Sequence, residues 1–384
     1  MHKKLFHLGI AIPTYNRITS LKKCIESICD QKISKNIKVS IIVSNISSTD
    51  STAEYLESLR NTEGFYINDK LKNIEKSNVS QFINFESLSN TIPANLDWIW
   101  WLGDDDKLSN KNSIEFLIKN IIKNDVDDNL VFVHPCQKGK STENNIIVKD
   151  TIFNLCNLFG FHEILGWMSS IVLKTKYMKE MLIDSSKNKQ FFIKSINDKI
   201  PSAFSHAESI LRNYGNRLGL FIDSALVEPQ DKSQSQETIK RWKKENVMNR
   251  YFMISSELME IKKIFSYKIS RKFLRYNTYH FWDHCIYHIF MGLLSKGRKL
   301  KQLDETFNDD EKKILMGNWD NVLKFSALVD NPYDKKNIKI LHQLGVLFSL
   351  MYINSNFSEI IIEQNIQPLI TKLSIPTYCN IINS

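Results

Sequence analysis

Residues Trp98 to Leu102 form an apolar run of strand length that passes through Gly103 into three consecutive carboxylates, Asp104, Asp105 and Asp106. Such a run suits a strand buried on both faces. Nothing about folding favours three adjacent acids at its end, because like charges repel and raise one another's pKa unless something positive sits among them. A hard divalent cation is the partner that matches carboxylate oxygen. Mg²⁺ or Mn²⁺ is commonly held by one or two carboxylates while substrate phosphates supply further ligands. The plainer reading is a solvated acidic turn. A calcium loop counted from Asp104 would place Asp106 third and Glu115 twelfth. It is excluded by Leu108 and Ser109, which stand where an oxygen ligand and a glycine are required.

The surrounding chain alternates strand and helix signals. Gly9 to Pro13 reads as a short buried strand, and Thr19 or Ser20 as the cap of a helix with Leu21, Cys24, Ile25 and Ile28 on its apolar face. Val39 to Val43 is a β-branched strand, followed by a helix carrying Tyr55, Leu56 and Leu59. Phe65 to Ile67, Trp98 to Leu102 and Leu130 to His134 continue the strands. Helices are expected around Val79, Phe82 and Ile83, and around Ile114, Leu117, Ile118 and Ile121. This order predicts an α/β fold with a mostly parallel, Rossmann-like central sheet flanked by helices. In such sheets ligands bind beyond the carboxyl ends of the strands, which is where Asn16, Ser44 and the three aspartates fall. Further short strands are expected at Ile146 to Val148, Ile171 to Leu173, Leu220 to Ile222 and Ala225 to Val227. Asp231 to Gln236 reads as a polar linker, and helical spacing dominates beyond it. The expected division is a catalytic domain over 1–235 and a helical domain over 236–384.

The chain carries 51 Lys and Arg against 42 acids, a net charge of +9, and residues 240–301 alone hold fifteen basic residues and four acids. Trp242, Tyr251, Phe252, Phe265, Tyr276 and Trp282 are among the aromatics interleaved there. A solvated basic face is one reading. Contact with an anionic membrane surface or a lipid-phosphate acceptor, or self-association of the chain, is the functional one. Nucleic acid is set aside because no recognised binding motif appears. The six cysteines form no C-x-x-C pair and no zinc spacing with histidine, as expected for free thiols in a reducing compartment. The apolar stretch Leu8 to Ile12 is too short for a secretory signal, and no apolar run reaches about 18 residues. The expected location is the cytoplasm, peripheral at the inner face of the cytoplasmic membrane.

Three segments in order resemble a family 2 glycosyltransferase of the GT-A fold. They are Ile10-Ala11-Ile12-Pro13-Thr14-Tyr15-Asn16-Arg17, the segment from Ile41 to Thr52, and Trp100-Trp101-Leu102-Gly103-Asp104-Asp105-Asp106, which is similar to the Asp-x-Asp metal site. The resemblance covers roughly residues 7 to 230. It implies a Mn²⁺- or Mg²⁺-dependent, inverting hexosyl- or N-acetylhexosaminyltransferase. The enzyme would move sugar from a nucleotide-sugar donor, usually a UDP sugar, to a glycan or lipid-linked acceptor of surface polysaccharide or lipopolysaccharide. Pro13, Thr14, Asn16 and Arg17 would line the nucleotide pocket. Asp104 and Asp105 would face the donor, and Asp104, Asp105 and Asp106 would hold the metal, with Asp105 the best match. Position 44, usually aspartate and in contact with the base, is Ser44 here. Gly103 stands where many members have their first aspartate. Asp50 matches a later acid of the family and equally suits a helix cap. The family's general base lies near the start of a later helix. Here Ser205-His206-Ala207-Glu208 occupies that place, with Glu208 preferred, His206 second and Asp198 third. Trp167, in the acceptor-side segment Gly166 to Ser170, is a candidate for stacking on a sugar ring. Two competing readings are a nucleotidyltransferase of similar fold, which lacks its Gly-rich triphosphate loop here, and a non-catalytic glycan- or partner-binding protein with a decayed site.

Overall fold

The computed structural model describes residues 5–46, 48–69, 81–139, 141–142, 146–186 and 205–230. These belong to one compact unit, Met1–Lys189 with Phe204–Lys240. The expected boundary at 235, the helical domain beyond it, the basic aromatic stretch, Val79 and Asp198 lie outside the described residues.

The predicted alternation appears as β1 (Phe6–Thr14), α1 (Ile18–Cys29), β2 (Ile37–Asn45), α2 (Thr52–Leu59), β3 (Phe65–Asn68), α3 (Gln81–Thr91), β4 (Trp98–Trp101), β5 (Asp106–Leu108), α4 (Ser113–Asn124) and β6 (Leu130–Gln137). There follow β7 (Ile147–Thr151), α5 (Ile152–Phe159), α6 (Phe161–Leu165), a 3-10 turn at Met168–Ser170, β8 (Ile171–Lys174), α7 (Thr175–Ser186), α8 (Ser205–Tyr214) and β9 (Leu218–Pro229). One sheet runs in the order β3-β2-β1-β4-β8-β6-β9-β5, with β7 also paired to β9. β1 pairs in parallel with β2 and β4, β2 with β3, and β6 with β9. The short strands β5, β7 and β8 run against their neighbours. The two short strands expected at 220–222 and 225–227 are one long strand, β9. Its register shifts against β6 absorb the polar Asp223 and Ser224.

The helix faces follow the spacing read from the sequence. Leu21, Cys24, Ile25 and Ile28 are the buried side of α1. Ile114, Leu117, Ile118 and Ile121 are buried on α4, together with Ser113 and Asn120. All four residues of β4 are buried, as a strand covered on both faces requires. No described helix is long and apolar enough to cross a membrane.

The cap of α1 differs from expectation. The helix begins at Ile18, and neither Thr19 nor Ser20 precedes it. Its first turn is served from a distance, because Ile18 N–H donates to Asp50 Oδ2 at 3.1 Å. The other oxygen of Asp50 accepts from the backbone N–H of Thr52 at 3.1 Å and from its hydroxyl at 2.5 Å. One carboxylate therefore caps two helices and ties the β1–α1 turn to the β2–α2 turn. The tie is doubled by Asn16, whose φ of 52° lies in the left-handed region that asparagine tolerates. Its N–H donates to Ser48 Oγ at 2.8 Å, and its Oδ1 accepts from Thr49 N–H at 2.6 Å.

Replacing Asp50 with alanine removes both caps at once. The loss expected in chemical denaturation is about 1–2 kcal/mol, with Asp50→Asn losing less. An unchanged denaturation midpoint in the alanine variant would show that the two helix starts do not depend on this carboxylate.

Candidate functional site

β1, β2 and β4 end together, and the site is built on those ends. After Trp101 the chain turns at Gly103, where Asp106 N–H closes back on Gly103 C=O at 3.1 Å. It then reverses into β5, which pairs antiparallel with the end of β9. A Cβ at position 103 would stand 3.0 Å from Asp105 Oδ1 and 3.2 Å from Asp106 Oδ2 and Ser169 Oγ, so any other residue would need these side chains to give by a few tenths of an ångström.

The three aspartates have different surroundings. Asp104 is buried. Thr14 Oγ1 donates to its Oδ2 at 2.7 Å and Arg17 Nη1 to its Oδ1 at 2.9 Å. The same Arg17 nitrogen donates to Asp105 Oδ2 at 2.8 Å, while the Asp105 side chain remains 55% exposed. Asp106 is buried and accepts a short hydrogen bond from the Ser169 hydroxyl, which in turn accepts from Gly103 N–H at 2.8 Å. Burial pushes the Asp104 carboxyl up to about 6 against the pull of Arg17, and pushes Asp106 up to about 7 with the Asp105 charge adding to it. Burial opposes the charge on Arg17, but Asp104 and Asp105 prevail and its pKa is raised. Beneath the turn, the Cys24 thiol faces Gly103 C=O at 3.7 Å, and burial beside these acids keeps it protonated.

Gln230 clamps the turn from the far side. Its side-chain amide donates to the carbonyls of Ser20, Asp104 and Asp106 at 2.8, 3.2 and 3.1 Å. Its backbone N–H donates to Asp105 C=O at 3.0 Å. Ser169 and Gln230 were not singled out from the sequence as parts of this site. They lie 63 and 124 residues from Asp106, and no local pattern connects them to it.

The remaining predicted residues divide between this site and its walls. Pro13 and Thr14 sit in register with Ser44 and Asn45 at the ends of β1 and β2. Ser44 is fully buried and donates to Ser87 Oγ at 2.7 Å, which also accepts from Asn68 Nδ2 at 3.1 Å. A neutral hydroxyl–amide network therefore stands where an acid was expected. His206 and Glu208 are both buried on α8. His206 Nε2–H donates to Leu165 C=O at 2.9 Å, and burial lowers its pKa to about 4. Its ring stands edge-on to Trp101 with centroids 5.3 Å apart, and Phe85 meets Trp101 in the same manner at 5.1 Å. The start of α8 is thereby held against the strand that carries the aspartates. Trp167 is half-buried, two residues before Ser169.

Residues 9–157 match the family model for glycosyl transferase family 2. The abequosyltransferase RfbV of Salmonella typhimurium is 33% identical over 110 residues, which is 29% of this chain and 31% of that relative. The crystal structure of S. aureus TarS 1–349 superposes with a TM-score of 0.53 at 15% identity, over 88% of this chain and 86% of that one, and its complex with UDP gives the same values. These likenesses show the fold, a mixed central sheet flanked by helices, and the match to the family 2 glycosyltransferase model spans residues 9–157.

The raised acid pKa values carry a stability signature. Between the ordinary value of 3.8 and about 7, the folded chain holds a proton on Asp106 that the unfolded chain has lost. That contribution is complete below the unfolded value and disappears as pH rises through about 7. Without divalent ions, the melting temperature should fall from about pH 5 to about pH 8, and Asp106→Asn should flatten the fall. Parallel pH profiles for the two proteins would contradict this.

Proposed function

We propose that this chain is a metal-dependent, inverting glycosyltransferase. It moves a hexosyl or N-acetylhexosaminyl group from a nucleotide-diphosphate sugar, a UDP sugar in our reading, to a hydroxyl of a glycan or lipid-linked glycan. The product belongs to bacterial surface polysaccharide or lipopolysaccharide. One observation carries the proposal: Asp104, Asp105, Asp106, Thr14 and Arg17 converge at adjoining strand ends inside the family 2 segment. A structural neighbour, S. aureus TarS, has been crystallised with UDP, and the Salmonella relative is named as a sugar transferase, both in keeping with this reading.

The donor set fits a hard divalent ion. Three carboxylates stand together, of which Asp104 and Asp105 share one guanidinium and Asp106 takes a hydroxyl; Asp104 and Asp106 are buried with raised pKa values, and Asp105 is open to solvent. Asp105 is the ligand we assign to the open side, with Asp104 and Asp106 flanking it. When bound, Mn²⁺ or Mg²⁺ stabilises the charge that grows on the departing diphosphate, as a Lewis acid. Arg17 adds a fixed positive charge at the same strand ends. Thr14 orients Asp104, and Asn16 and Pro13 shape the turn that presents Arg17. Ser44, with Ser87 and Asn68, lines the base side as a neutral wall. Glu208 takes the proton of the acceptor hydroxyl. His206 serves it less well in that role, because its Nε2–H is committed to the Leu165 carbonyl and its ring is packed edge-on against Trp101. The basic aromatic stretch over 240–301 brings the enzyme to an anionic membrane surface where lipid-linked acceptors reside.

A nucleotidyltransferase is disfavoured by the turn after β1. Tyr15-Asn16-Arg17 contains no glycine and is committed to Ser48 and Thr49. A decayed, non-catalytic domain is disfavoured by the retained cluster of acids.

Asp105→Ala should abolish transfer, and Mn²⁺-dependent hydrolysis of the donor without acceptor, while leaving the circular dichroism spectrum unchanged. Full activity in this variant would remove the metal assignment. Arg17 competes with a cation for Asp104 and Asp105. Arg17→Gln should therefore bind Mn²⁺ alone more tightly, by roughly fivefold or more, and should bind UDP more weakly in calorimetry. Weaker binding of Mn²⁺ alone would show that Arg17 supports the ion instead of displacing it.

A further inference from the structure

A cluster of side chains of metal-ligand type, with none of the three aspartates among them, is built on β6 and α6. His134 and Cys136 are two residues apart on β6, on either side of Pro135, and both are buried. α6 brings Glu163 against them, and one ligand atom from each of the three residues lies within 4.8 Å of the other two. Among the described residues this is the one such grouping of three His, Cys, Asp or Glu side chains whose donor atoms converge this closely.

We propose that His134, Cys136 and Glu163 form a zinc site. The imidazole is oriented as a metal-bound histidine usually is. A carbonyl can only accept, so the 3.0 Å contact between His134 Nδ1 and Ile164 C=O places the proton on Nδ1 and makes Nε2 the electron-pair donor. The ring plane is set by stacking on Phe221, with centroids 5.4 Å apart and planes 14° from parallel, and Phe159 stacks on Phe221 at 4.0 Å. α6 thus supplies both the carboxylate, from Glu163, and the carbonyl of the next residue that orients the histidine.

The donor types select the ion. Thiolate, imidazole and carboxylate together suit borderline Zn²⁺, whereas Mg²⁺ and Mn²⁺ prefer the all-oxygen set at Asp104 to Asp106. Charge also balances. Binding releases the Cys136 thiol proton to solvent, and Zn²⁺ with one thiolate, one carboxylate and a neutral imidazole is uncharged, which suits a partly buried place. Three protein ligands leave one tetrahedral position for water or another donor. The site would also fasten α6, whose last residue Leu165 accepts from His206 and which leads within four residues to Ser169. Zinc would thereby stiffen the side of the aspartate site that Ser169 and α8 complete. The inference is independent of the sugar-transfer reading.

The test uses the full chain, stripped with chelator and titrated with Zn²⁺ against a chromophoric competitor, then with Co²⁺ followed by absorption. The expected result is about one tight zinc per chain, with a near-ultraviolet thiolate-to-cobalt charge-transfer band. Cys136→Ser should lose the band and bind zinc at least tenfold more weakly. Glu163→Gln, at a half-buried position, guards against misfolding and should weaken zinc while keeping the band. Asp105→Ala should bind zinc as the unaltered chain does. No stoichiometric zinc in the unaltered chain, or a band that survives Cys136→Ser, would overturn the proposal. Loss of zinc in Asp105→Ala alone would assign the ion to the aspartates and overturn it equally.

Discussion

Three carboxylates at the end of one buried strand stay in this fold because donors from three separate parts of the chain reach the carboxylates or the backbone of the turn that carries them. Thr14 and Arg17 come from the end of β1, Ser169 from the turn before β8, and Gln230 from just beyond β9. A buried carboxylate without such partners would cost several kcal/mol or take up a proton. The raised pKa values of Asp104 and Asp106 show that the compensation is partial. The turn is therefore electrostatically unsaturated, holding more negative charge than the single guanidinium can balance.

Holding Arg17 in place is a task for the neighbouring turn. Asn16 takes its left-handed conformation with hydrogen bonds to Ser48 and Thr49, and Asp50 caps α1 immediately after Arg17. The β1–α1 and β2–α2 turns consequently behave as one unit, and a change in either would move the guanidinium relative to Asp104 and Asp105. On the other flank, Trp101 sits edge-on between Phe85 and His206, so α3 and α8 are referenced to the same strand end. The geometry of the site thus follows from packing on β4 as much as from polar contacts.

Much of this could be read from the chain itself. The periodic helices α1 and α4 bury the residues that their spacing marked, because an apolar stripe at helical spacing has one way to leave water. The acidic cluster and the strand-end residues Thr14 and Arg17 were visible because the motif is short and contiguous. Ser169 and Gln230 were not, since their roles depend on sheet topology that brings β8 and β9 to this end. Asp50 as a double cap escaped for the same reason, one of its partners being 32 residues away. β9 read as two strands because Asp223 and Ser224 interrupt its apolar pattern. In the fold, Asp223 accepts from the backbone and hydroxyl of Thr142, so the interruption is satisfied within a continuous strand.

The bond from Arg17 to two aspartates has a consequence for how such a site is assembled. A domain that held three acids with no internal cation would depend on a bound ion to fold. One whose arginine filled the site permanently could not bind the ion at all. Arg17 is intermediate. Its side chain is 29% exposed and shares one nitrogen between Asp104 and Asp105, an arrangement that a diphosphate can draw away with little disturbance to the buried bonds of Thr14 and Ser169. Diphosphate and ion would then help each other to bind, since each removes the charge imbalance that the other would create alone. On the proposed reading, the contact that keeps these acids tolerable in the fold is the same one that a donor's diphosphate would release.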